Sequence, residues 1–161
     1  MGLNVNSEMN TAVLDSFDVV KATPGAFNGG TANARGDHDG TQDPTTIFNV
    51  TGDVLVRVYA VCTETIVGAG TIELGVTGNT AVLLPQVADA STIAAGDVWI
   101  DNSVAEVRAA LLSNVPATTL ITNGSDIIET LGTANLTDGE IYYVCFWKPV
   151  TPGSSVKAAS F

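Results

Sequence analysis

After residue 45 the chain alternates apolar and polar residues with the period of two that marks a half-buried strand. Ile47-Phe48-Asn49-Val50, then Thr51-Gly52, then residues 53–62 read as a strand, a tight turn and a long strand. In the long strand Val54, Val56, Val58, Ala60 and Cys62 share one face. Leu55, Arg57, Tyr59 and Val61 share the other, which is also mostly apolar, so cover is expected on both faces. Further strands are expected at 71–77, 80–84, 97–101, 118–122, 126–131 and 140–148. Gly78-Asn79 marks a turn, and Asn123-Gly124 is a strong two-residue hairpin signal. The run EIYYVCFWK is the most hydrophobic and should cross the core, with Pro149 and Pro152 ending the pairing behind it. Residues 88–95 offer one helical turn. Residues 103–112 (SVAEVRAALL) make a better helix, with Ser103 and Glu106 as a capping box and Val104, Val107, Ala110 and Leu111 on one face. The expectation is an all-β protein: an antiparallel sandwich or barrel, jelly-roll-like, of about eight strands with one short helix.

The first 45 residues follow a different pattern. Thr11 to Val20 (TAVLDSFDVV) is strand-capable, but NGGTANARGDHDGTQD, from Asn28 to Asp43, holds no Val, Ile, Leu, Met or aromatic residue. Such a stretch has no apolar area to offset an ordering entropy of about 1–2 kcal/mol per residue, so it is a loop that orders only if a neighbour holds it. The expected organisation is therefore an extended N-terminal arm and polar linker over 1–45, and a β-sandwich domain over 46–161. Val13, Leu14, Phe17, Val19 and Val20 are the apolar arm residues that would engage a partner by adding a strand to it. Gly52-Asp53-Val54, Gly96-Asp97-Val98 and Gly139-Glu140-Ile141 each open an apolar strand, which is shared turn chemistry rather than a repeat.

Composition narrows the function. Thr and Val, 20 residues each, supply the β-branched character. Six Lys plus Arg against 17 Asp plus Glu give a net charge of −11, while 45% of the chain is hydrophobic. That is too apolar for a disordered chain, and 161 residues can bury a core without a staple. Six scattered cations exclude binding to nucleic acid through its phosphates. No apolar run approaches the ~20 residues of a spanning helix, and MGLNVNSEMN is not a signal peptide. Cys62 and Cys145 sit in apolar runs and read as buried free thiols, which gives no argument for export.

Candidate chemistry is sparse. His38 is the single histidine, between Asp37 and Asp39; adjacent residues rarely aim at one ion, and no second histidine completes a metal set. With His38 alone in a polar loop, no Ser or Cys triad can be drawn. Arg35-Gly36-Asp37 spells a cell-adhesion tripeptide, a chance-level match. No phosphate loop occurs. Asp97 with Asp101, or Glu64 with Glu73, would be the carboxylate pairs of a glycoside hydrolase, although acidic residues at strand ends also blunt sheet edges. Trp99, Tyr142, Tyr143, Phe146 and Trp147 would be the aromatics of a glycan platform, although alternation sends some of them into the core. No catalytic, cofactor or metal residue is assigned, and no cofactor or small-molecule substrate is expected.

The stretch IFNVTGDVLVRVYAVCTETIVGAGTIELGVTGNTAVLLP (47–85), continued by GSDIIETLGTANLTDGEIYYVCFWKPVTPGSSV (124–156), resembles small proteins encoded in the head-gene region of tailed bacteriophages. Some proteins of that kind are capsid decoration (cement) proteins. The resemblance covers most of the β domain and not the arm. It implies a non-enzymatic virion protein on the outer capsid surface, made in the bacterial cytoplasm. Its partners would be the major capsid protein and copies of itself, as a homotrimer. A tail- or fibre-associated glycan-binding domain and a carboxylate-pair glycoside hydrolase are the alternatives.

Overall fold

β-Branched, alternating segments cannot bury their apolar faces as isolated strands, and here they pair into two stacked antiparallel sheets. The computed structural model describes residues 17–100, 103–105 and 117–161. Its strands are β1 (Asp18–Ala22), β2 (Thr45–Thr51), β3 (Val54–Val67), β4 (Thr71–Val76), β5 (Asn79–Val87), β6 (Val98–Ile100), β7 (Ser103–Ala105), β8 (Thr119–Ile121), β9 (Ile127–Gly132), β10 (Asp138–Pro149) and β11 (Ser155–Ala158). The first sheet runs β1-β10-β3-β6-β7, with β8 also paired to β3; the second runs β11-β2-β9-β4-β5. The chain enters the first sheet at β1 and passes to the second at β2. It returns to the first at β3, crosses to the second for the β4–β5 hairpin, comes back to the first for β6, β7 and β8, and then alternates through β9 (second), β10 (first) and β11 (second). That winding is jelly-roll-like, with β6 and β8 as two pieces of one strand position flanking β3.

The core lies between the sheets. Val54, Val56, Val58, Ala60 and Cys62 of β3 and Ile141, Tyr143 and Cys145 of β10 point inward. They meet Ile47, Phe48 and Val50 of β2, Ile127 and Leu131 of β9, and Ile72 and Leu74 of β4. Trp99 is buried in the same cluster.

Several local expectations are corrected. The turn at Thr51-Gly52 is no hairpin: β2 and β3 belong to different sheets. Asn123-Gly124 likewise leads from β8 in the first sheet to β9 in the second, with both residues at positive φ (60° and 67°). The two crossings are tied together, Gly124 N–H to the Gly52 carbonyl at 3.0 Å and Asn123 N–H to Asp53 Oδ1 at 2.8 Å. The β4–β5 link is a true hairpin, closed where Val76 pairs with Asn79, and consecutive β6 and β7 also pair directly, Ile100 with Ser103. The second face of β3, expected to be covered, is half-buried. Ser103 opens no helix: Ser103–Ala105 is a strand paired with Val98–Ile100, and the rest of the expected helix, 106–112, lies outside the described residues. The other helical expectation is realised as a single 3-10 turn, Ala90–Thr92, capped by the Asp89 carboxylate. Beyond Pro152 the chain pairs again, as β11 on the edge of the second sheet. Among the described residues no helix is long and apolar enough to cross a membrane.

The largest correction concerns the arm. Val13 and Leu14 lie outside the described residues, but residues 17–45 are built into the sandwich. β1 pairs along β10 from Asp18↔Trp147 to Ala22↔Tyr143. The polar stretch behind it is held at both ends of its hairpin-like path. Phe27 N–H bonds the Gly139 carbonyl, Gly29 N–H the Leu136 carbonyl and Leu136 N–H the Gly36 carbonyl, each at 2.8 Å. Gly36 has φ +103°, and a Cβ there would stand 2.2 Å from the Leu136 oxygen. The neighbour this loop needs is the domain itself.

Candidate functional site

A buried ion pair anchors the loop. Strand alternation puts Glu129 in the inward row of β9 between Ile127 and Leu131, fully buried. Arg35 reaches it from the polar loop, with Nε to Oε1 at 3.0 Å and Nη2 to Oε2 at 2.6 Å. Tyr143, inward on β10, donates its hydroxyl to Oε2 at 2.5 Å. Arg35 Nη1 donates to the Gly25 carbonyl, and the guanidinium lies 3.9 Å from the centre of the Phe27 ring. Burial works against the Arg35 charge, but the Glu129 carboxylate outweighs it and the pKa rises. Burial, reinforced by Glu129, pushes the Tyr143 phenol well above its usual value.

Next to this pair, Asp37 accepts the Asn33 N–H at 2.8 Å, the main reason its carboxyl is held below the usual range. His38 Nδ1 shares a 2.5 Å contact with Asn135 Oδ1, whose amide nitrogen donates to the Gly29 carbonyl at 2.6 Å. The ligand atoms of Asp37, His38 and Asp39 all come within 4.8 Å of one another. The bonds of Asp37 and His38 run to the loop and to Asn135, which makes this a turn-building cluster.

The aromatics divide between the core and the outer face of the first sheet. Asp97 is buried and its Oδ2 accepts the Ala94 N–H at 2.8 Å, while Asp101 lies outside the described residues. Glu73 accepts from Gln86 Nε2 at 3.0 Å. Trp99 and Tyr143 are core residues, whereas Tyr142 and Phe146 are half-buried on the outer face of the first sheet. Cys62 and Cys145 are free and buried. Burial pushes the Cys62 thiol, beside Asp97, to about 11 and the Cys145 thiol to about 12.

That outer face gathers what the sequence had scattered. Register places Val19, Phe146 and Arg57 in one row, and Lys21, Val144 and Tyr59 in the next. Tyr142 pairs with Val61, and Lys148 with Leu55, which pairs in turn with Leu120. Lys21 Nζ lies 3.8 Å from the Tyr142 ring centre, and Arg57 lies 5.2 Å from that of Phe17 while its Nε donates to Thr118 Oγ1 at 2.6 Å. Tyr59 and Phe146 are tilted against each other at 6.0 Å. Val144 is buried on this outer side, outside the core cluster, and Val19 and Leu120 are the exposed apolar residues at its margins. Three of the six Lys and Arg residues of a chain of net charge −11 therefore share one aromatic, apolar sheet face. Of the residues proposed for the arm, Phe17 and Val19 belong to this face, and Val20 packs against the core.

In comparisons with known proteins, no family model, no curated protein and no solved structure matched the chain.

Proposed function

We propose that the chain is a non-enzymatic virion structural protein, a decoration protein on the outer head surface of a tailed phage. In this reading it is made in the bacterial cytoplasm and binds the major capsid protein and its own copies as a homotrimer. The outer face of the first sheet is the docking surface. The observation that carries the reading is the concentration of Lys21, Arg57 and Lys148 among Phe17, Tyr59, Tyr142 and Phe146 on an otherwise acidic sandwich. An aromatic patch with a few fixed cations has the composition of a protein-binding hot spot, and the cations steer it toward a carboxylate-bearing surface. The buried polar groups favour a structural role over catalysis: Glu129 holds the loop through Arg35, and Asp97 holds a turn.

The test is cryo-electron microscopy of particles assembled with the wild-type chain or with the double variant Arg57→Glu, Phe146→Ser. Both side chains lie outside the core, so the variant should melt like wild type. Density on the outer capsid at three-fold positions, lost in the variant, is the expected result. Density inside the head or on the tail, or full occupancy by the variant, overturns the proposal.

A further inference from the structure

Beside the buried ion pair a cleft opens between the polar loop, β2 and the segment after β11. Its volume is about 540 Å³, and none of its lining residues belongs to the first sheet. Arg35, Gln42, Thr45, Thr46, Asn49 and Phe161 shape it. A volume of that order lies within the roughly 300–1,000 Å³ of small-molecule sites.

The chemistry of the wall selects the ligand. A guanidinium has five N–H donors in a fixed fork. Nε and Nη2 of Arg35 each give one to Glu129, and Nη1 gives one to the Gly25 carbonyl. Two donors are left on a side chain that is only 6% exposed and lines the cleft. Glu129 and Phe27 fix the plane of the guanidinium, so these donors are positioned before any ligand arrives. Asn49 uses its amide nitrogen on Asp126 at 3.3 Å, which leaves its carbonyl oxygen as an acceptor. Thr45 and Gln42 are joined at 2.5 Å through the threonine hydroxyl and the Gln42 backbone carbonyl, which leaves the Gln42 carboxamide uncommitted. Phe161, 58% exposed, offers an aromatic face at the rim. The wall behind it is stable, because Ala159 N–H continues the strand pairing onto the Ile47 carbonyl at 3.0 Å.

An anion gains little here. Glu129 neutralises Arg35, no second cation lines the cleft, and the chain carries −11 overall. A neutral polyhydroxylated ring matches it better: hydroxyls for the spare guanidinium donors and the amides, and an apolar ring face for Phe161. We infer that this cleft is a binding site for a neutral saccharide of one or two rings. The inference stands apart from capsid docking, since it uses the second sheet and the polar loop.

The test combines a printed array of neutral and acidic glycans with NMR titration of the full chain by glucose, galactose, N-acetylglucosamine and glucuronate. The expected result is binding of a neutral glycan, with saturable shifts of the Arg35 Nε–H and of the Gln42 and Asn49 side-chain amides. Affinity should fall roughly tenfold or more in Asn49→Ala and in Phe161→Ala. Both residues are exposed, so the variants should melt like wild type. The inference is overturned if no neutral glycan binds and no neutral sugar shifts these signals at about 50 mM. Binding confined to acidic glycans, or binding unchanged in both variants, overturns it equally.

Discussion

Replacing Glu129 with Gln keeps the side-chain shape and removes its charge. In the native protein that carboxylate accepts three hydrogen bonds, two from Arg35 and one from Tyr143, with no exposure to solvent. Hydrogen bonds to a charged group contribute about 1.5–3 kcal/mol each. Desolvating each ion costs several kcal/mol, so the intact pair stabilises the fold only modestly. Breaking it is different, because Arg35 then stays buried as an uncompensated cation. Glu129→Gln should therefore destabilise by about 3–5 kcal/mol, a fall in Tm on the order of 10 °C for a chain of this size. Adding Arg35→Met, which removes the stranded charge, should recover most of the loss, so the double variant should be far more stable than the sum of the two single losses implies. Equilibrium urea unfolding of wild type, both single variants and the double variant measures all four corners. Hydrogen exchange at Asn28, Gly29 and Leu136 should report loss of protection in the single variants, since their bonds close the loop that Arg35 pins. If Glu129→Gln lowers stability by less than about 1 kcal/mol, the pair does not hold the loop and the reasoning fails.

Two further outcomes follow from the buried groups and from β1. Cys62 and Cys145 keep their protons in the fold to about 11 and about 12, against 9.0 for an ordinary thiol, so the unfolded chain ionises first as pH rises. Their stabilisation is whole below about pH 9 and fades above it; in reductant, unfolding free energy should fall by about 2–3 kcal/mol between pH 8 and pH 10, with Tyr143 adding to the slope beyond pH 10. A Cys62→Ala, Cys145→Ala variant should be flatter across that interval, and a flat wild-type profile in denaturant titrations would refute the burial argument. A chain starting at Thr46 loses β1 and Arg35, baring an edge of β10 and stranding Glu129; it should show no cooperative thermal transition by circular dichroism, and a sharp melt at the full-length temperature would show that residues 17–45 are dispensable.

Period-two patterning made most of the sandwich legible, because β3, β4, β9 and β10 each bury one alternate row. The crossings were not, since Asn123-Gly124 has the same positive-φ chemistry in a hairpin and at a corner between sheets. Ser103 and Glu106 satisfy a capping-box spacing, yet pairing of Ser103–Ala105 with Val98–Ile100 prevails over that local preference. The polar loop was read correctly as lacking apolar area, but area was the wrong quantity. A signal for its anchor was present: Glu129 falls in phase with Ile127 and Leu131, and a carboxylate in a core row requires a buried cation. Register could not be read at all, so Lys21, Arg57 and Lys148 appeared scattered until β1, β10 and β3 were aligned.

The pairing of β1 with β10 also fixes a timetable for synthesis. Asp18 leaves the ribosome 129 residues (147 − 18) before its partner Trp147 is made. At roughly 5–20 residues per second, the first strand waits on the order of ten seconds for the strand that receives it. Until then β3 has no neighbour along the whole flank that β10 will occupy, and the residues of Arg57's row face water beside an open backbone edge. The nascent chain is thus most vulnerable to pairing with another chain just before β10 emerges, and slowing the codons between β3 and β10 should lower the yield of folded protein more than slowing those ahead of β3.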